Sequence, residues 1–249
     1  MNRYFIEVSY RGTRYSGFQV QENAHTVQAE LQKAMELVFR KAFVLTGSSR
    51  TDAGVHALQN YFHFDEESDL QQKQVYNLNA VLPNDLAVKR LITMNTDAHS
   101  RFDAISREYR YHLYTRKDPF LYDRAYFFPY KIDVEAMQTA AGILQEYSDF
   151  TSFSKRNTQV KTFICALYES RWEQTTEGYC YYVKGNRFLR GMVRGLTATM
   201  LKVGRGRLDL KGFRSIIEGR DCTLAQFAVP AHGLFLEKVN YPEGYFAEI

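Results

Sequence analysis

Gly47-Ser48-Ser49-Arg50-Thr51-Asp52-Ala53-Gly54-Val55-His56-Ala57-Leu58 is the stretch around which the rest of the chain is arranged. An apolar run, Phe43-Val44-Leu45, predicts a strand leading in, and the alternation from Leu58 to Phe64 predicts a strand leading out. Asp52 therefore sits on a tight loop between two strands, two residues after Arg50 and two before Gly54. Flanking glycines give that loop backbone freedom. A guanidinium near a carboxylate stabilises the ionised form, which suits a nucleophile or a general base. Spacing alone fits a surface Asx-turn with a local ion pair as well, and favours it.

Working outward, Tyr4 to Tyr10 predicts a first strand, followed by a loop, residues 11–19, that mixes Arg11, Arg14 and Tyr15 with Gly12 and Gly17. No Lys-Ser/Thr pair follows the second glycine, so this is not a phosphate-binding P-loop. Thr26 is placed to cap a helix whose apolar face carries Val27, Leu31, Met35 and Val38. A second helix is expected from Asp69 to about Asn79, ending before Pro83, and a strand from Leu86 to Met94. The order strand, helix, strand, strand, helix, strand is that of a ferredoxin-like split unit, a layout that many RNA-binding sheets use.

The second half repeats the theme. Residues 107–115 alternate, putting Tyr109, Tyr111 and Leu113 on one face; Asp133 is placed to cap a helix bearing Met137, Ala140, Ala141 and Leu144. Strands are expected over Val160 to Trp172 and Gly178 to Lys184, and a helix from about Arg187 to Val203. A short helix over Leu210 to Glu218 and a strand over Gly233 to Tyr241 close the chain. The expected architecture is α+β: two ferredoxin-like, RRM-like halves, 1–97 and 98–249, sharing a central, mostly antiparallel sheet flanked by helices.

Composition narrows the function classes. With 249 residues and 45% hydrophobic content there is ample material for a packed core. No apolar run reaches the length of a membrane span, so a cytoplasmic location is the expectation. Three scattered cysteines and six dispersed histidines lack metal-ligand spacing, so no metal is expected. Net charge is only +4, yet seven cations (Lys184, Arg187, Arg190, Arg194, Lys202, Arg205, Arg207) fall between Lys184 and Leu208 without an acid. On the expected helix Arg187, Arg190 and Arg194 share a face, where mutual repulsion favours an anionic partner such as a phosphate backbone. An ordinary solvated basic face is the alternative. Tyr109 and Tyr111 offer a stacking surface for a base, although alternate tyrosines more often pack a sheet. Taken together, the residues point to an RNA-binding α+β protein with one carboxylate, Asp52, singled out on a tight loop.

The chain resembles the tRNA pseudouridine synthase A family over essentially its whole length. The Arg50-Thr51-Asp52-Ala53-Gly54-Val55-His56 string matches that family's catalytic loop. Supporting segments follow in the same order: Tyr10 to Thr13, Gly17 to Gln19, Asn79 to Asp85, Arg101 to Ala104, Tyr109 to Tyr111, Asp149 to Phe153, and Met192 to Arg194. The resemblance implies the pseudouridine synthase fold, isomerisation of uridine to pseudouridine at positions 38, 39 and 40 of the tRNA anticodon stem-loop, a homodimer, and no cofactor or metal. It implies Asp52 as the catalytic aspartate, Arg50 as the loop arginine, and Tyr109 and Arg194 as active-site residues. RNA contacts are expected from Tyr109, Arg187, Arg190 and Arg14. Phe18 stands where the family often has tryptophan, and Phe188-Leu189-Arg190-Gly191 lacks the paired histidines of some members. Two other classes compete: a non-catalytic tRNA-binding or chaperone protein on this fold, and a carboxylate-dependent hydrolase. The hydrolase lacks a second acid at a paired position, since Asp103 is expected to be structural.

Overall fold

The computed structural model describes residues 1–156 and 160–246. The fold is α+β, with mostly antiparallel strands flanked by helices, and divides into two compact units: 1–106 with 236–249, and 107–235.

In the first unit β1 (Asn2–Tyr10) lies between β3 (His56–Glu66) and β4 (Leu86–Met94), antiparallel to both. In the register of that pairing Tyr4, Ile6 and Val8 lie opposite Phe64, Phe62 and Asn60, and β1 is buried on both faces from Tyr4 to Val8. Helix α1 (Val27–Phe39) begins where Thr26 Oγ accepts the Ala29 amide, at 3.2 Å. It buries Val27, Leu31 and Met35, each worth about 1.5–3 kcal/mol of apolar transfer. Helix α2 (Lys73–Val81) packs on β4, and Asn79 ties the two by exchanging two hydrogen bonds with Val88.

Three expectations are corrected here. The Phe43-Val44-Leu45 segment alternates in burial, with Val44 86% exposed, yet only β2 (Thr46–Gly47) pairs with β3. Side chains of α1 are the reason: Gln32 and Gln28 donate to the carbonyls of Phe43 and Leu45 in place of a neighbouring strand. The boundary expected at 97/98 moves to 106/107. The third concerns the C-terminus: β9 (Leu234–Asn240) neighbours β3, and the Val239 amide donates to Gln59, so 236–249 belong with the first unit.

In the second unit β8 (Gly178–Gly185) lies between β5 (Ser106–Tyr114) and β7 (Leu167–Gln174), antiparallel to both; β6 (Tyr126–Phe127) adds to β5 in parallel. The expected strand from Val160 begins only at Leu167. Residues before it bond elsewhere: the Phe150 amide donates to Phe163 and the Cys165 amide to Ser148. Helix α3 (Val134–Ile143), capped by Asp133, packs on β7 and on α4 (Met192–Gly204). Helix α5 (Leu210–Glu218) follows. No helix among the described residues is long and apolar enough to cross a membrane.

Candidate active site

The Asp52 loop is held by the loop at 11–19. Beyond Gly47 the strand pairing ends, and the Ser48 amide donates to the Tyr61 carbonyl at 2.8 Å. Phe18 stacks on Phe62 at 4.4 Å and fills the space over Gly47, where a Cβ would lie 2.2 Å from the ring. The Phe18 amide donates to the Thr51 carbonyl at 3.1 Å, and the Thr51 hydroxyl bonds that of Tyr10 at 2.8 Å. Buried Asn60 spans the rest, donating to Tyr10 Oη and to the Ser49 carbonyl. Each of these polar groups is buried with a partner, which makes the loop costly to deform.

Asp52 begins a turn closed by the Val55 amide on the Asp52 carbonyl, at 3.1 Å. Gly54, third in that turn, has φ of 80°, a conformation that side chains rarely adopt. Its amide reaches the Tyr15 carbonyl, and the Gly12 amide donates to His56 Nδ1 at 3.1 Å. The result is a half-buried Asp52 carboxylate on a rigid backbone, with Arg50 exposed two residues earlier. Arg14 is 70% exposed and ion-paired with Asp85 at 3.3 Å, and Asp85 also accepts from the Tyr15 hydroxyl. Burial, then Asp85, keeps that phenol protonated well above the usual tyrosine range.

In the second unit Tyr109 is 8% exposed on β5, its ring meeting Phe188 edge-on at 5.0 Å. Arg194 lies in the first turn of α4, and its Nε and Nη2 both donate to the Val229 carbonyl, at 3.0 and 2.7 Å. The next residue, Pro230, accepts the hydroxyl of fully buried Tyr111 at 2.7 Å. The expected helix from Arg187 starts only at Met192, because Gly191 at its N-cap is left-handed with φ of 75°. Arg187 and Arg190 thus lie on the preceding loop, half-buried and exposed respectively, and share no helical face with Arg194. The glycines at 191 and 195 do admit neighbours: Lys155 packs over the first and Phe227 against the second.

A family model described as tRNA pseudouridine synthase matches residues 6–103 and 146–242. The chain belongs to that family. Similar curated proteins carry the name tRNA pseudouridine synthase A. One from Parabacteroides distasonis is 43% identical over 99% of this chain and 98% of its own length. One from Bacteroides thetaiotaomicron is 44% identical over 100% and 94%, and one from Staphylococcus saprophyticus 38% over 95% and 90%.

Members of the tRNA pseudouridine synthase family are isomerases, and this chain is an enzyme of that class. Sequence reasoning did not reach the Val229 and Pro230 carbonyls or the Tyr10–Thr51–Asn60 network. Backbone acceptors leave no sequence signal, and the network joins residues some 40 to 50 positions apart. Among the described residues no group of three or more His, Cys, Asp and Glu is arranged to hold a metal ion.

Proposed function

We propose that this chain converts uridine to pseudouridine in the anticodon stem-loop of tRNA, at positions 38, 39 and 40, with Asp52 as the reacting carboxylate. The observation that carries this is the half-buried Asp52 on a loop locked by the Thr51, Gly12 and Gly54 contacts. A fixed carboxylate that need not reorganise is what a short-lived sugar–base intermediate demands.

The bond from uracil N1 to C1′ breaks, the base turns, and C5 bonds to C1′. N1 gains a proton and C5 loses one, so no redox carrier enters. The target must leave its stack, at a cost of a few kcal/mol. Asp52 acts at the sugar or the base, or removes a sugar proton. Arg50, exposed beside it, takes the vacated space or the flipped nucleotide's phosphate. Tyr109 stacks on the detached uracil and assists loss of the C5 proton. Arg194, its guanidinium held by the Val229 carbonyl, is the further active-site arginine. Arg187, Arg190 and Arg14 hold phosphates. The working form is a cytoplasmic homodimer that uses neither cofactor nor metal.

The test is tritium release from tRNA labelled at uracil C5, with Asp52→Ala alongside. Release by the intact chain alone, with tRNA binding kept in both, is the expected result. Tight binding without release from any tRNA would make the chain a binding protein. Equal release from both would name the wrong carboxylate.

A further inference from the structure

The acid-free cation run does not act as one patch. Helix α4 separates its members: Arg187 and Arg190 precede the helix, whereas Lys202 is in its last turn and Arg205 and Arg207 lie beyond it. Thirteen residues of helix hold the two groups about 20 Å apart. The proposed chemistry uses the first group only.

The second group lines a groove of about 230 Å³ in the 107–235 unit. One wall is α4, with Ala198, Leu201 and Lys202 followed by Arg205 and Arg207. Tyr126, Phe128 and Tyr130 line the groove too, with Gln226, Ala228 and Val229. No carboxylate is among the described residues that line it. The Arg205 guanidinium lies over the Tyr130 ring at 4.1 Å from the centroid, and Tyr130 is 51% exposed. The volume is below the roughly 300–1,000 Å³ of pockets that enclose whole small molecules, so it suits part of a larger ligand.

Cations at a helix C-terminus offset the macrodipole, which accounts for Lys202. That does not account for Arg207 after the helix, nor for a guanidinium placed over a half-exposed tyrosine ring. A guanidinium over an aromatic ring keeps donors for phosphate oxygens, and exposed aromatic surface accepts a base. Val229, whose carbonyl holds Arg194, also lines the groove. We propose that this groove binds a nucleotide of the substrate RNA remote from the target uridine, with phosphate on Lys202, Arg205 and Arg207 and the base against Tyr130.

This rests on the proposed RNA substrate, and binding and chemistry are therefore read separately. The full chain, Lys202→Ala/Arg205→Ala and Tyr130→Leu are compared on an unmodified tRNA transcript. The readouts are affinity across a salt series and tritium release. Loss of two phosphate contacts predicts a fall of about 1.4 to 1.8 in the slope of log K against log salt. Tyr130→Leu weakens binding about 10-fold with the slope unchanged, and Arg205→Lys restores the slope but not the full affinity. In each variant the loss of kcat/KM is carried by KM. An unchanged slope in the folded double variant would overturn the proposal, as would a changed oligomeric mass with an unchanged slope, which would make the groove a contact between copies. Salt-sensitive tRNA binding by the intact chain without tritium release would overturn the isomerase reading and leave the groove standing.

Discussion

Replacing Gly12 by alanine puts a methyl carbon 1.9 Å from the Val55 carbonyl oxygen, 2.5 Å from its carbon and 2.9 Å from its nitrogen. All three are backbone atoms, so no side chain can swing aside. Gly12 lies outside the left-handed region, which leaves the contact alone responsible for the effect. Carbon–oxygen contacts settle near 3.3 Å, so the two loops must part by about 1.4 Å. Val55 closes the Asp52 turn through its amide, and the displacement reaches the carboxylate directly. Overpacking of this kind costs about 1–3 kcal/mol of stability. A misplacement of 1 Å at a reacting group costs on the order of 100-fold in rate. Single-turnover tritium release by Gly12→Ala should therefore fall about 100-fold or more, with Tm lower by about 2–12 °C at roughly 2–4 °C per kcal/mol for a chain of this size. Wild-type turnover in a folded Gly12→Ala protein would refute the argument that this contact fixes Asp52.

Burial pushes the His63 imidazole down to about 4, and Arg3 and His99 push the same way. Its Nδ1 accepts the Ser100 amide at 3.2 Å while the Ser100 hydroxyl donates to the Thr46 carbonyl, an arrangement that protonation breaks. The folded value lies below the unfolded 6.5, so the contribution is full above pH 6.5 and is lost as pH falls towards 4. Urea unfolding should show about 2 kcal/mol lost across that window after allowance for screening, and His63→Asn should flatten the slope. Tyr111→Phe strips the Pro230 carbonyl of its buried donor, at about 1–3 kcal/mol. If that segment positions Arg194 through Val229, the variant loses kcat with tRNA affinity intact; an unchanged kcat would confine Tyr111 to packing.

Local physics made much of this chain legible from its residues. Period-two alternation located β3 and β5, apolar and aromatic runs located β1, β4 and β8, and apolar faces at helical spacing located α1, α3 and α4. Thr26 and Asp133 marked two helix starts because a cap is a contact between residues three apart. Asp52 stood out because its neighbours in sequence are its neighbours in the turn. Where the reading failed, the deciding partner lay far along the chain. The side chains of Gln28 and Gln32 kept residues 43–45 out of a sheet that their alternation predicted. A single left-handed glycine moved the start of α4 and left Arg187 and Arg190 on the loop before it. The C-terminal strand returned to β3, and Arg194 found a backbone carbonyl 35 residues away. Alternation, helical faces and caps are fixed within a few residues and are written in the sequence. Carbonyl acceptors and loop-to-loop contacts depend on no side-chain pattern, so only the packed chain decides them.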